Sequence, residues 1–248
     1  MKTPIYSKTS LKQPEFKEPK LKIVSLPAAE LAERDTDTVL FSNLSSSHTA
    51  ARAMQRGCDV LFCTIALLLL WPAFAVIAVL IRLDSPGPVL FKQSRVGKDG
   101  VEFWFYKFRS MVTDAEAQRH LLEMQNERSG PVFKMKNDPR ITRVGRVLRK
   151  FSLDELPQLI NVIKGDMSLV GPRPALPKET DKYTDRQRQR LICLPGVTGL
   201  WQVSGRASLS FERSIELDLY YIERQSIVLY FRILLLTIPA VLRAEGAY

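Results

Sequence analysis

Arg146-Val-Leu-Arg-Lys-Phe-Ser-Leu-Asp-Glu-Leu-Pro-Gln-Leu-Ile-Asn-Val-Ile-Lys-Gly-Asp166 is the stretch around which the chain is organised. Ser152, followed three residues later by Glu155, has the pattern of a capping box. It predicts that a helix begins here and that Asp154 lies in its first turn. Free backbone N–H groups and the helix dipole favour an ionised carboxylate there. Pro157 conflicts mildly with this helix, because a proline inside a helix removes one backbone hydrogen bond.

The acidic pair in this stretch has two interpretations. An ionised carboxylate among guanidinium groups can attack a phosphate whose negative charge the arginines neutralise. The simpler interpretation is that Glu155 only caps the helix and Asp154 only complements its dipole. From this stretch alone the simpler one is favoured, because acidic first turns are common. The surrounding basic residues are Arg143, Arg146, Arg149, Lys150 and Lys164.

The length and charge of the chain limit its class and its partners. Its 248 residues suffice for one sizeable domain or two small ones. Its net charge of +10 indicates anionic partners, which are nucleic acid, a membrane surface or phosphorylated substrates. Residues 1–50 carry 7 Lys and Arg against 6 Asp and Glu, and the rest of the chain carries 29 against 20. The excess positive charge therefore belongs to the part after residue 50.

Cysteine and histidine usage excludes several kinds of site. The three cysteines have no zinc-site or disulfide spacing, which is typical of a reduced, cytoplasmic setting. With only two histidines, His48 and His120, a Ser-His-Asp or Cys-His triad is hard to build. Acid–base or nucleophilic chemistry is therefore expected to rest on carboxylates.

Residues 60–81 form an apolar run of 22 residues without a charged residue, Asn, Gln or His. That length is typical of a membrane helix. Two alternatives remain open from the residues alone. The helix spans the bilayer, or it enters one leaflet, breaks at Trp71-Pro72 and returns to the same side. Basic residues on both flanks give no inside/outside bias and fit both ends staying cytoplasmic.

Residues 1–50 predict a disordered or loosely ordered cytoplasmic tail, because prolines interrupt it and no apolar period is sustained. Asp35-Thr-Asp37 matches a metal motif of sugar transferases, but within this tail the match is interpreted as accidental.

After the membrane element, the pattern predicts short strands and several helices. Residues 89–93 and 102–109 read as two strands joined by a turn at Gly97-Lys-Asp-Gly100. Lys107 and Arg109 would point to the same face of the strand. The plain alternative to a binding role is that this face is simply the one exposed to solvent. The predicted helices lie at 113–126, 141–150, 177–194, 211–225 and, as an amphipathic interfacial or core-packed helix, 227–242.

Two further residues are candidates for binding. Pro172 and Pro174 fix the backbone around Arg173, whose guanidinium would suit a phosphate clamp, although a rigid surface loop is the plain alternative. Asp218 is an acidic residue among apolar neighbours in the predicted helix 211–225.

Seven linked motifs together resemble the bacterial sugar transferase family, the monotopic polyprenyl-phosphate phosphoglycosyl transferases. The resemblance runs from about residue 53 to 248, and its specificity lies in the order and spacing of the motifs. The last residues, 236–248, look most like members that start exopolysaccharide synthesis with a galactose or glucose phosphate. The motifs are FKQSRVG at 91–97, YKFRSM at 106–111, DPRITRVG at 138–145, SLDELPQ at 152–158, GDMSLVGPRP at 165–174, PGVTGLWQVSGR at 195–206 and ELDLYY at 216–221.

The resemblance implies a reaction and roles for residues. A UDP-sugar would give its sugar-1-phosphate to undecaprenyl phosphate and release UMP, through a covalent aspartyl intermediate. Asp154 would be the nucleophile and Glu155 a ligand of Mg²⁺. Metal and basic side chains would neutralise the developing charge. The residues expected to bind the phosphates or to orient those that do are Lys107, Arg109, Arg149, Arg173 and Asp218.

The resemblance also implies a fold and a location. It predicts a mixed α/β, mostly helical protein with three parts. These are the tail 1–50, a re-entrant membrane helix at 51–84, and a small catalytic domain at 85–248 with short strands and interfacial amphipathic helices. The protein would lie on the cytoplasmic face of the bacterial inner membrane, without nucleic acid as a partner and with room for a homodimer. The chain departs from the family pattern at Trp71, Tyr230 and Ala244, where Ser, Asp and Gly are usual.

Two rival functions follow from the same residues. A membrane-anchored module could bind anionic lipid or nucleic acid through its basic surface, but such a module does not need the acidic pair, which would weaken it. An ordinary spanning glycosyltransferase would release UDP instead of UMP, but the Asp-x-Asp motif it would use lies in the tail.

Overall fold

The computed structural model of the protein describes residues 47–122, 135 and 137–243. The predictions for residues 1–46, for most of the segment 123–136 and for Ala244 lie outside these described residues. The elements bear out a mostly helical protein with a few short strands and one long apolar helix. They are α1 (Ser47–Asp84), β1 (Leu90–Val96), β2 (Glu102–Phe108), α2 (Ala115–Leu122), α3 (Arg143–Lys150), α4 (Gln158–Lys164), β3 (Ser168–Val170), α5 (Pro177–Thr180), α6 (Asp185–Arg188), β4 (Gly196–Thr198), α7 (Leu200–Ser204), α8 (Phe211–Glu223) and α9 (Ile227–Arg243).

Helix α1 contains the apolar run and is 38 residues long, about 57 Å at the usual rise per residue. Its helical backbone continues through Trp71 and Pro72, so the break predicted there is not present in this helix. Within the described residues, Ala51–Asp84 is one helix long and apolar enough to cross a bilayer. Many of its large apolar side chains are exposed, among them Leu61, Leu68, Leu69, Trp71, Val76 and Leu83.

Both halves of α1 contact the rest of the protein. In the first half, a carboxylate oxygen of Asp59 accepts a hydrogen bond from the Leu169 backbone N–H at 3.0 Å. At the other end, the Asp84 carboxylate accepts from the Val144 backbone N–H at 2.9 Å. Apolar contacts follow the same division, since Cys63 belongs to one core cluster and Ile77 and Ile81 belong to another. The helix is therefore attached to the same domain before and after Pro72.

Strands β1 and β2 form the predicted antiparallel hairpin, in which Phe91 pairs with Lys107. A 3-10 turn at Lys98–Gly100 closes it, and Asp99 adopts a left-handed conformation with φ of 55°. This hairpin places Lys107 on β2 one residue before the strand ends.

Strands β3 and β4 form a short parallel pair whose main chains approach closely. A Cβ added to Gly196 would lie 2.0 Å from the backbone nitrogen of Gly171, so no larger residue fits without moving the main chain. The Gly171 N–H in turn donates to the Thr198 carbonyl at 2.9 Å. The pair fixes the start of the loop that carries Arg173.

Helices α8 and α9 pack around a core that includes Tyr221, Tyr230 and Ile233. Tyr230 is fully buried, and its hydroxyl donates to Asp59 at 2.7 Å. Tyr230, at which the chain departs from the family pattern, therefore has a hydrogen-bond partner in α1 and packs fully into the core. The opposite side of α9 presents an exposed apolar stripe of Val228, Phe231, Leu235, Ile238 and Leu242, as expected of an amphipathic helix.

The single helix predicted over residues 177–194 is wrong. The segment divides into α5, α6 and a 3-10 helix at Gln189–Ile192. The physical reason is a new helix N-terminus, because the Thr184 hydroxyl accepts from the Gln187 N–H while the Gln187 side chain bonds the Thr184 N–H.

Candidate active site

The acidic pair lies on a 3-10 turn, Leu153–Glu155, between α3 and α4. The predicted capping box is wrong, since the Ser152 side chain makes no capping hydrogen bond and Ser152 is left-handed with φ of 55°. Its N–H donates to the Arg149 carbonyl at 3.0 Å, and its own carbonyl accepts from the Glu155 N–H at 3.2 Å. Ser152 therefore connects the end of α3 to a short 3-10 turn, with Asp154 in the first turn as predicted, and does not cap an α-helix. Helix α4 begins only after Pro157, where the missing N–H costs nothing, and this removes the conflict noted in the sequence.

Both carboxylates of the pair face the same ammonium group. Lys107 Nζ lies 2.6 Å from Glu155 Oε1 and 3.7 Å from Asp154 Oδ2. Asp154 is buried, at 5% exposure, and Glu155 is half-buried. The left-handed turn at Ser152 and the hairpin register thus bring together three residues from two distant parts of the sequence.

Burial and neighbouring charges shift the pKa values of the two carboxylates in opposite directions. Burial raises the pKa of Asp154 above its ordinary value, against the opposing influence of Lys107 and Arg149. Burial also acts to raise the pKa of Glu155, but Lys107, Arg173 and Arg206 outweigh it and hold that pKa below its ordinary value. Glu155 is therefore the more firmly ionised of the two, and Asp154 takes up a proton more readily.

The pair opens into a cavity of about 800 Å³. Six of the seven predicted site residues line it, and Asp218 is the exception. The cavity is strongly basic, because its wall also includes arginines that the sequence analysis did not select. The lining residues that were predicted are Lys107, Arg109, Arg149, Asp154, Glu155 and Arg173, and the additional arginines are Arg95, Arg119, Arg140, Arg190 and Arg206.

Arg149 and Arg173 act on the acidic pair through charge. Arg149, on α3, acts to lower the pKa of Asp154, while Arg173 acts on Glu155. Arg173 is exposed between buried Pro172 and Pro174, as expected for a side chain presented by a rigid loop. Both guanidinium groups are placed to meet an anion in the cavity.

Arg109 has a different environment from Lys107. It is 5% exposed, and its guanidinium donates to the backbone carbonyls of Ser85 (2.7 Å) and Pro86. The strand has ended at Phe108, so the expected alternation with Lys107 does not extend to this residue. These contacts make Arg109 a structural link to the turn after α1, which argues against a role in binding phosphate.

Asp218 contacts none of the four basic residues that it was expected to orient. It is 1% exposed on α8 and forms an ion pair with Arg190. Burial raises its pKa to about 6, against the opposing effect of Arg190. No local pattern indicates this pairing, because the two residues lie on different helical segments 28 positions apart.

The residues present fit a magnesium ion of limited protein coordination. No group of three or more His, Cys, Asp or Glu side chains with metal-site geometry occurs in the described part of the chain. Mg²⁺ commonly binds through one or two carboxylates together with substrate phosphates and water. Glu155, half-buried at the cavity wall, can supply such a carboxylate. Its present counter-ion is the ammonium group of Lys107.

Comparison with known proteins agrees with the motifs. Residues 50–244 match the family model described as bacterial sugar transferase. Galactosyl transferase CpsE of Streptococcus agalactiae is 50% identical over 168 residues, which is 67% of this chain and 37% of that protein. The undecaprenyl-phosphate galactose phosphotransferase of Salmonella typhimurium is 41% identical over 208 residues, 80% of this chain and 42% of that protein. Exopolysaccharide production protein ExoY of Rhizobium meliloti is 40% identical over 198 residues, 78% of this chain and 88% of that protein.

This chain belongs to the bacterial sugar transferase family, and the resemblance stated from its motifs is confirmed. It spans less than half the length of the first two relatives and most of the third.

Proposed function

We propose that this protein is a phosphoglycosyl transferase that moves a sugar-1-phosphate from a UDP-sugar to undecaprenyl phosphate and releases UMP. The observation that carries the proposal is the buried Asp154 beside Glu155, at the wall of a large cavity lined with arginines. The names of two relatives, one a galactose phosphotransferase acting on undecaprenyl phosphate, support the reaction type. Both names mention galactose, which supports a hexose as the sugar, with glucose as the second candidate from the motif resemblance.

In the first step, the Asp154 carboxylate attacks the phosphorus nearest the sugar. A bond forms between this carboxylate and that phosphorus, the phosphorus–oxygen bond to UMP breaks, and UMP leaves with the electron pair. A covalent aspartyl phosphosugar remains. Attack of an anion on a pyrophosphate requires that the developing charge be neutralised. Lys107, Arg149 and Arg173 line the cavity and would supply this charge.

In the second step, an oxygen of undecaprenyl phosphate attacks the same phosphorus. The bond to Asp154 breaks, its carboxylate is regenerated, and undecaprenyl diphosphosugar is formed. A Mg²⁺ held by Glu155 and the donor phosphates would supply additional charge neutralisation. Asp154 must be ionised for the first step, so its raised pKa predicts that activity falls on mild acidification.

The way α1 is attached to the domain supports access of the lipid substrate to this site. Both ends of α1 are tied to the domain that carries Asp154, through Asp59 and Asp84. This supports a re-entrant helix that bends around Pro72 without losing its helical backbone, with both ends on the cytoplasmic face of the bacterial inner membrane. The exposed stripe of α9 adjoins α1, since the rings of Phe62 and Phe231 pack edge to face with their centroids 6.3 Å apart. The two helices thus offer one apolar surface to lipid.

The test is nucleotide release in nanodiscs that contain undecaprenyl phosphate, with Mg²⁺ and one UDP-sugar at a time. We expect UMP release with UDP-galactose or UDP-glucose, and abolition of turnover in Asp154→Asn. Asp99→Asn, in the exposed hairpin turn, is the matched control and should retain activity. A covalent intermediate further predicts about one UMP per enzyme when the lipid is omitted.

Release of UDP would reject the reaction and indicate glycosyl transfer. Normal turnover of Asp154→Asn would reject the nucleophile. Anion binding without nucleotide release, unaffected by that substitution, would favour the binding-module alternative.

A further inference from the structure

Arg190 is a buried residue that contacts the loop carrying Arg173. It lies on the 3-10 helix Gln189–Ile192 and is 7% exposed. One terminal nitrogen donates to the Tyr183 hydroxyl at 2.9 Å. The other donates to Asp218 and to the backbone carbonyl of Arg173, the latter at 3.2 Å. A single guanidinium therefore connects α8, the segment after α5 and the Arg173 loop.

The main chain of this loop is held at two consecutive carbonyls. Arg190 binds the carbonyl of Arg173, and Arg95 binds that of Pro174 at 3.1 Å. The flanking prolines restrict the backbone torsions and remove two N–H donors. With its main chain fixed in this way, the exposed Arg173 side chain enters the cavity from a defined point.

Asp218 makes this arrangement electrostatically acceptable. A buried guanidinium without a counter-ion is strongly disfavoured. Asp218 neutralises Arg190 and does not itself line the cavity. The positive charge of Arg173 thus remains available to a ligand, while the charge behind it is compensated.

We propose that Arg190 is a positioning residue which, anchored by Asp218, holds the main chain of Arg173 so that the Arg173 guanidinium meets the donor phosphates. The inference rests on the proposed function and extends it to Asp218, which does not line the cavity, and to Arg190, whose terminal nitrogens donate to protein groups. It also gives Asp218 a role that acts through Arg190 instead of through a direct contact with a phosphate-binding residue.

The test is a double-mutant cycle between Arg190→Lys and Arg173→Ala, read in kcat and KM for UMP release. Lysine keeps the charge but cannot bind Asp218, Tyr183 and the carbonyl with the same fork of donors. We expect Arg190→Lys to lower kcat/KM by about 10²-fold, the usual effect of a small misplacement of a binding group. In the Arg173→Ala background, Arg190→Lys should lower kcat/KM by no more than about twofold, which is within the precision to which independent mutations add.

Equal losses in the two backgrounds would overturn the inference, because a residue that acts only on overall stability lowers activity whether or not Arg173 is present. Arg213→Lys is the matched control, since Arg213 pairs with Glu216 on α8 outside the cavity, and it should leave kcat/KM unchanged. If Arg190→Lys does not fold, as judged by thermal unfolding, Asp218→Asn takes its place in the cycle, with the same criterion.

The cycle separates this inference from the proposed function. A wild-type protein that releases no UMP rejects the proposed function. The cycle is then read in the affinity for UDP-galactose, measured by calorimetry, where coupling between the two positions supports positioning and additivity rejects it.

Discussion

Replacing Lys107 with glutamine tests the electrostatic arrangement of the acidic pair. The ammonium group lies 3.7 Å from Asp154 and 2.6 Å from Glu155, and it is the largest influence opposing the rise in the pKa of Asp154. At an effective dielectric constant of about 20, the ammonium group of Lys107 and an ionised Asp154 carboxylate, 3.7 Å apart, attract each other by about 4 kcal/mol. Desolvation of the pair offsets part of this attraction.

If about half of the attraction remains, the loss of Lys107 costs about 2 kcal/mol, or about 30-fold in kcat/KM at neutral pH. The direction of the pH effect follows from the cause of the shift. Burial raises the pKa of Asp154 and the ammonium group lowers it, so removing the ammonium group makes this pKa rise further. Activity requires the ionised form, so the acidic limb of the pH–rate profile should move to higher pH.

The assay is UMP release in nanodiscs as a function of pH, with thermal unfolding as a check on folding. Lys92→Gln is the matched control, since Lys92 is exposed on β1 over the ring of Trp104 and does not line the cavity. An unmoved acidic limb in Lys107→Gln, or an equal loss in Lys92→Gln, would refute the electrostatic reasoning.

Three further substitutions test the structure around the site. Arg109→Ala should lower the free energy of unfolding by about 1–3 kcal/mol, by removing donors to the carbonyls of the Ser85 turn, and retention of that stability in chemical denaturation would contradict the structural role. Tyr230→Phe should cost a similar 1–3 kcal/mol, because buried Asp59 loses a donor, and an unchanged thermal midpoint would show that the bond contributes nothing. Gly196→Ala should destabilise the protein more than either, since the added methyl group would overlap main-chain atoms, and normal expression and melting would exclude the close approach of β3 and β4.

The sequence predicted the elements of the site better than their connections. The hairpin, Lys107 and the acidic pair could be found because strand alternation and turn residues are local signals. The capping box at Ser152 failed for a related reason, since the same residue pattern fits a helix start and a turn that ends the preceding helix. Only the left-handed backbone and the bond from Ser152 N–H to Arg149 distinguish the two.

Contacts between distant segments could not be predicted from spacing. The pairing of Arg190 with Asp218 joins residues that share no periodicity, and each alone is an ordinary charged residue in a helical pattern. The hydrogen bond from Tyr230 to Asp59 spans 171 positions. Such pairs are selected by burial, because a buried charged or hydroxyl group must find a partner wherever the fold supplies one.

Tyr230, where the family usually has Asp, connects α9 to α1. An aspartate at this position would place a second carboxylate beside Asp59, and two adjacent buried carboxylates repel each other unless one takes up a proton. Tyrosine instead donates to Asp59, which also accepts the Leu169 N–H at the start of the chain segment leading to the Arg173 loop. The tyrosine in α9 is thus matched by a polar contact to α1, and the same carboxylate binds the backbone of Leu169 within β3. One carboxylate on α1 therefore contacts both α9 and β3, the strand that leads into the loop carrying Arg173.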